Sequence, residues 1–226
     1  TANAAKVNLK GNLKIESGVT VTNDASAASC SFNFNGNSTQ TVSVAPLMTG
    51  WRLFAKNTGV SSGAHLLLRN SSLNLGNNST CTVENQATLD FGFDGTNGSG
   101  SNALNILDGG SSTAFTHESG ARLKITNPSG IVSSGASGNV QTDSRSFSNV
   151  GKFYYSGKDN QVTGTALPGS APGSGDKVIV VDLAGPSLTL TPSAAINLAN
   201  TDTLWINQGI VDESASGYFQ DGGSDG

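Results

Sequence analysis

The stretch that decides the fold runs from Leu188 to Ile206 and reads LTLTPSAAINLANTDTLWI. Apolar residues stand two apart at Leu188/Leu190, Ile196/Leu198 and Leu204/Ile206, and each pair follows the last by eight residues. Two side chains separated by one residue share one face of an extended strand. Turn-forming residues such as Pro192-Ser193 lie between the pairs.

The beat is not confined to this stretch. Leu73/Leu75, Cys81/Val83 and Leu89/Phe91 also step by eight, and Phe115 precedes Leu123/Ile125 by the same distance. Leu13/Ile15 and Val19/Val21 are a shortened version. Triads of turn residues fill the gaps: Glu16-Ser17-Gly18, Gly76-Asn77-Asn78, Glu84-Asn85-Gln86 and Glu118-Ser119-Gly120. Strands of three or four residues are short for a hairpin meander, where five or six is usual. Three of them with their turns close one coil, and the inward pairs of successive coils then stack into a continuous core. The expected fold is all-β, a right-handed parallel β-helix (solenoid) of about nine coils of roughly 24 residues, its hand taken from the rule for parallel crossovers. Residues 1–217 are expected to form one domain, and 218–226 a flexible Gly/Asp/Ser-rich tail. A β-sandwich is the competing architecture, because 43–64, 92–103 and 126–150 interrupt the beat.

Composition agrees with strands and turns. Only 12% of residues are charged, and Ser, Thr, Asn and 29 Gly fill the polar positions. No segment shows convincing helical periodicity. The net charge of −4 with no basic run argues against a nucleic-acid or anionic-membrane partner. No apolar run approaches the ~20 residues that span a bilayer, so membrane insertion is not expected. The opening residues lack a signal-peptide pattern, and the expectation is a chain that begins after a removed signal or is an excised piece. Cys30 and Cys81 are too few for a disulfide scaffold. They read as two small core side chains or as a single disulfide of an oxidising compartment.

A second repeat has a longer reach. Phe32-Asn-Phe34-Asn-Gly36-x3-Gln40 and Phe153-Tyr-Tyr155-Ser-Gly157-x3-Gln161 share the pattern aromatic-x-aromatic-x-Gly-x3-Gln. The glycine permits a tight turn, and the glutamine is placed either to bond turn backbone or simply to face water.

In this region the order of motifs resembles a known family. Gly120-Ala-Arg-Leu-Lys-Ile-Thr-Asn-Pro-Ser-Gly-Ile131 is followed by the run from Phe153 to Pro168, FYYSGKDNQVTGTALP, then by Ser187-Leu-Thr-Leu-Thr191 and by Leu204-Trp-Ile-Asn-Gln-Gly-Ile210. Over about residues 66–213 this succession resembles repeats in large secreted proteins of the Bacteroidetes. The resemblance implies a parallel β-helix stalk or passenger, exported through the outer membrane, often by the type IX route, and adhesin-like in role. The C-terminal sorting domain of such proteins does not occur in these 226 residues, so a fragment or processed chain is expected.

Catalysis is not expected. Polysaccharide lyases on this scaffold need clustered acids, a base and often Ca2+. The acids here are scattered, and pairs such as Asp90/Asp108 or Asp182/Asp202 miss the expected coil length. No cofactor is expected. The Asp221-x3-Asp225 tail and the Asp94–Gly100 loop are weak Ca2+ candidates, read first as a flexible exit and a protruding turn. The Thr-x-Thr pairs share no common spacing and read as strand residues. Asp202-Thr203-Leu204 resembles the acceptor triplet for O-glycosylation in Bacteroidetes, which makes Thr203 a candidate. Trp51 and Trp205 are candidates for stacking on sugar or for capping an end, with Trp205 expected to point outward.

The resulting expectation is a non-catalytic structural and adhesive segment of an extracellular bacterial surface or secreted protein, a stalk presenting loops 92–102 and 126–150 to glycan or protein ligands. The alternatives are a carbohydrate-active module, lyase-like or sugar-binding, and a fibre subunit that self-associates end to end.

Overall fold

The structure is a computed structural model, and it describes residues 5–19, 30–57, 64–95, 98–169, 176–199, 201–214 and 216–221. It is all-β, with twenty-one short strands among the described residues. In chain order they are β1 Lys6–Leu9, β2 Leu13–Ile15, β3 Ser31–Phe34, β4 Gln40–Val44, β5 Arg52–Ala55, β6 Leu66–Leu68, β7 Leu73–Leu75, β8 Thr80–Val83, β9 Thr88–Asp90 and β10 Ile106–Asp108. They continue with β11 Ala114–His117, β12 Arg122–Ile125, β13 Ser144–Phe147, β14 Lys152–Tyr155, β15 Gln161–Val162, β16 Val178–Asp182, β17 Thr189–Thr191, β18 Ile196–Leu198, β19 Thr203–Gln208, β20 Ile210–Val211 and β21 Phe219–Asp221.

These strands form five sheets, ordered β1-β3-β5-β8-β11-β13, β2-β4-β6-β9-β12-β14-β16-β19, β7-β10, β15-β17-β20 and β18-β21. Every strand pairing among the described residues is parallel. Antiparallel contact there is limited to the isolated bridges Phe93–Ala103 and Ser214–Gly217. This removes the sandwich, whose neighbouring strands run antiparallel.

The eight-residue beat is the step from one sheet to the next. Leu73/Leu75 lie on β7, Cys81/Val83 on β8, and Leu89 opens the pair carried by β9. Those three strands belong to three different sheets. The opening stretch does the same through β17, β18 and β19. Like side chains then align in register between distant segments. On the eight-stranded sheet one inward column runs Gln40, Leu66, Leu89, Leu123, Phe153, Ile179, Leu204. On the six-stranded sheet Phe32, Leu53, Cys81 and Phe115 align, and beside them Phe34, Ala55, Val83 and His117. The apolar members of these columns belong to one continuous core, and outward positions alternate with them along β8, β11, β12 and β14.

The turns follow the expected chemistry. Glu16, Gly76, Glu84 and Glu118 accept hydrogen bonds at their carbonyls from the amides of Val19, Ser79, Ala87 and Ala121. The residue before each donor has positive φ: Gly18 +83°, Asn78 +58°, Gln86 +65° and Gly120 +72°. That is the arrangement of a type II turn, which asks for Gly or Asn at this place. Val21, the partner of Val19 in the shortened pair, lies outside the described residues.

The expected uniform step is corrected. The step between paired strands is not constant: Ser31 faces Arg52, a short return, whereas Thr80 faces Ala114, a much longer one. Register fixes only the strands, so turns absorb different lengths of chain, and among the described residues the longest sheet holds eight strands. The interrupting segments are partly regular, since 43–64 contains β5 and 126–150 contains β13. Phe219–Asp221 pairs with Ile196–Leu198, and Phe219 packs against the core. Residues 222–226, with Asp225, lie outside the described residues.

Candidate functional site

The two glutamines of the long-range repeat are buried rather than solvated. Gln161 Oε1 accepts the Gly157 amide at 2.8 Å, and its Nε2 donates to the carbonyls of Asn127 at 2.9 Å and Ile125 at 3.3 Å. Gln40 repeats the arrangement, accepting from Gly36 at 2.7 Å and donating to Gly11 at 2.7 Å and Leu9 at 2.9 Å. Each side chain therefore ties its own turn to the turn on the neighbouring strand. A Cβ on Gly157 would meet Gln161 Cδ at 2.6 Å, and one on Gly36 would meet Gln40 Cδ at 2.9 Å, so the glycine clears room for the glutamine. The motif is structural.

Charged side chains converge in two places. In the first, Asp108 Oδ1 accepts the Thr113 hydroxyl at 3.0 Å and Asp143 Oδ2 accepts the Thr113 amide at 3.2 Å, so one threonine links both carboxylates. With Arg145 they line a shallow cavity of about 430 Å3. The guanidinium donates to the carbonyls of Thr142, Val132 and Gly135, which folds the 132–136 loop over it. Burial pulls the Arg145 pKa down, while Asp108 opposes the shift. Three of the guanidinium nitrogens thus hold backbone, and the arginine closes a loop instead of presenting a free cation to a substrate.

The second place lies on the outward face of the eight-stranded sheet, around a cavity of about 290 Å3. Asp90 sits 3.3 Å from the Lys124 ammonium and 3.6 Å from His65. Beyond it, register places Lys124, Tyr154, Val180 and Trp205 side by side. The adjacent outward column is Thr88, Arg122, Lys152, Val178, Thr203. No basic run exists in the sequence, yet the parallel pairing of segments far apart in the chain gathers three cations on one face.

The sequence candidates fall as follows. Trp205 points outward and is 62% exposed. Trp51 does not stand at an end of its sheet. It precedes β5, third in the order of six, and its ring stacks on Phe32 at 4.5 Å. Thr203 is exposed at the start of β19. The Asp202 carboxylate is enclosed, accepting the amides of Lys177 and Ala199 and lying 3.9 Å from the buried Lys177 ammonium. Cys30 and Cys81 are free thiols. Cys81 on β8 aligns through Leu53 with Phe32, two residues past Cys30, so β5 stands between the thiols and holds them roughly 11–12 Å apart, two strand spacings across and two residues along, beyond disulfide reach. Burial pushes the Cys81 thiol up to about 12.

The described part of the 92–103 loop is tied down more closely than a free protrusion. Asp94 accepts the Asn102 amide at 3.0 Å and its side-chain nitrogen at 2.7 Å. The Lys158 ammonium bonds the carbonyls of Gly98 and Gly100 and lies 4.2 Å over the Phe93 ring. In 126–150, buried Asn139 accepts the amides of Thr126 and Asn127 and donates to Leu104. No group of three or more His, Cys, Asp or Glu suited to a metal occurs among the described residues. No described helix is long and apolar enough to cross a membrane. Comparison with family models, with curated proteins and with solved structures gives no match.

Proposed function

We propose that this chain is a structural and adhesive segment of an extracellular bacterial surface or secreted protein, non-catalytic, with its parallel sheets wound as one right-handed β-helix. One observation carries the reading: every described strand pairing is parallel, and along the two long sheets the strands follow one another in chain order without being consecutive in the chain. A chain that returns repeatedly to the same sheets after visiting others is suited to an elongated body with long lateral faces. Its role is mechanical and presentational, holding outward residues and the pinned loops 92–103 and 126–150 at fixed spacing for glycan or protein ligands. The low charge, the resemblance of the motif order to secreted Bacteroidetes repeats and the engagement of Arg145 by backbone support this over an enzyme.

The Asp108/Asp143/Arg145 cavity favours the carbohydrate-active alternative and supplies its test. Small-angle X-ray scattering is expected to give a rod-like profile, and incubation with acidic polysaccharides is expected to release no unsaturated oligosaccharide. A compact, near-spherical profile overturns the stalk, and product release abolished by Asp143→Asn overturns the non-catalytic reading.

A further inference from the structure

Resting on the adhesive reading, and naming its ligand, we propose that the outward face of the eight-stranded sheet between β12 and β19 binds anionic, uronate-type polysaccharide. Tyr154 and Trp205 lie in one outward column with Val180 between them. Two strand spacings separate the aromatic residues, about 9.5 Å, close to the length of two sugar rings. Val180 between them is buried, 8% exposed, so the contact falls to the rings, and Trp205 is 62% exposed and free to lie against a sugar. Aromatic faces stack on the C–H face of pyranose rings, and their polar edges tolerate the surrounding water.

The neighbouring column decides the charge of the ligand. Arg122 and Lys152 are adjacent in register there, and that column from Thr88 to Thr203 contains no carboxylate. Lys124 stands beside Tyr154 in the aromatic column. Asp90, one strand further, bounds the patch on one side, and Asp182, held by Asn207 at 2.8 Å, bounds it on another. A cationic strip flanking aromatic rings, on a chain whose net charge is −4, is complementary to a polymer bearing one carboxylate per sugar. Each exposed ion pair is weak by itself. A polymer that engages several at once gains by multivalency, and the binding falls with salt.

The test is affinity electrophoresis through gels containing polygalacturonate, its fully methyl-esterified form, or single-stranded DNA. The expected result is retardation by polygalacturonate at low salt that disappears at high salt, with none by the ester. Trp205→Ala and Lys152→Glu are each expected to weaken the interaction at least tenfold, with unfolding curves unchanged because both side chains are outward. Four results overturn the proposal: no retardation by polygalacturonate, equal retardation by the ester, variants that bind as the wild type does, or retardation by DNA alone. A rod in scattering with no polysaccharide binding removes this site and leaves the stalk; a compact particle that still binds does the reverse.

Discussion

Replacing Gln161 by Met tests whether the buried glutamine fastens one turn to the next. Methionine keeps the length and apolar stem but offers neither donor nor acceptor of comparable strength. The Gly157 amide loses its acceptor at 2.8 Å, and the Asn127 carbonyl loses its donor at 2.9 Å. Both carbonyls nevertheless keep a partner, because the Ser156 amide also reaches Ile125 at 2.8 Å and the Gly130 amide also reaches Asn127 at 2.9 Å. One buried backbone group, the Gly157 amide, is therefore left unpaired, at about 1–3 kcal/mol. The retained apolar contact offsets little, so the expected loss is about 2 kcal/mol, or about 4–8 °C in Tm for a chain of this size. Gln40→Met repeats the experiment at an independent place: Gly36 and Gly11 lose partners while the Leu9 carbonyl keeps the Asn35 amide. The two sites share no partner, so the double variant is expected to lose the sum within about 0.5 kcal/mol. Urea unfolding followed by circular dichroism and tryptophan fluorescence measures all three. A loss below about 1 kcal/mol in either single variant would show that water replaces the glutamine, and the reasoning would fail.

Other perturbations probe separate parts of the molecule. Burial among apolar side chains lowers the His117 imidazole from 6.5 to about 4, so between those values the unfolded chain takes up a proton that the folded one refuses. Its contribution is complete above about pH 6.5 and is lost as pH falls toward 4, about 3 kcal/mol in all; a urea midpoint for His117→Leu with the same slope against pH as the wild type would refute this. Gly157→Ala drives a Cβ into Gln161 and is expected to destabilise as strongly as Gln161→Met, whereas Gly135→Ala, with open space around its Cβ but a positive φ, is expected to cost only about 1 kcal/mol. Asp202→Ala removes the acceptor for two amides and the carboxylate beside buried Lys177, and is expected to cost about 3–5 kcal/mol; a thermal midpoint within a degree of the wild type would rule that out. A thiol reagent is expected to leave Cys81 unmodified in the folded protein and to label both cysteines in urea, and a single thiol in urea would contradict the free state of the pair.

The parallel all-β architecture was legible because two local signals agree. Apolar residues two apart fix a strand face, and triads ending in Gly or Asn fix a turn with positive φ; Asn78 and Gly120 occupy that place as expected. The spacing of paired strands was not legible. A strand keeps its register whatever the length of the turn before it, so Leu66 meets Leu89 after a short return while Leu89 meets Leu123 only after the 92–103 loop has been added. A uniform step cannot be extrapolated through such turns. The Gly-x3-Gln repeat carried a strong signal of a buried role. A glutamine at the same offset after two aromatic strands is hard to explain by solvent exposure alone, and both Gln40 and Gln161 are buried and bonded.

The same variable spacing hid the charged clusters. Asp108 and Asp143 lie far apart in the chain and look unrelated on a fixed step, yet the pairing of Ile106 with Val140 brings their neighbourhoods together. Arg122, Lys124 and Lys152 form no run in the chain, and only the alignment of β12 with β14 sets them side by side. Trp205 was different: its outward direction followed from alternation with Leu204 and Ile206, a local property that no insertion elsewhere disturbs. Residues whose role depends on one strand were therefore readable, whereas residues whose role depends on the neighbouring strand required the register. For a protein built from parallel pairings, any lateral binding surface belongs to the second kind. Its composition is set by turn lengths as much as by the outward residues themselves, so lengthening a turn by a residue leaves the core pairs intact while the loops beside the face change. Moving an outward cation to another strand alters the face without touching the core.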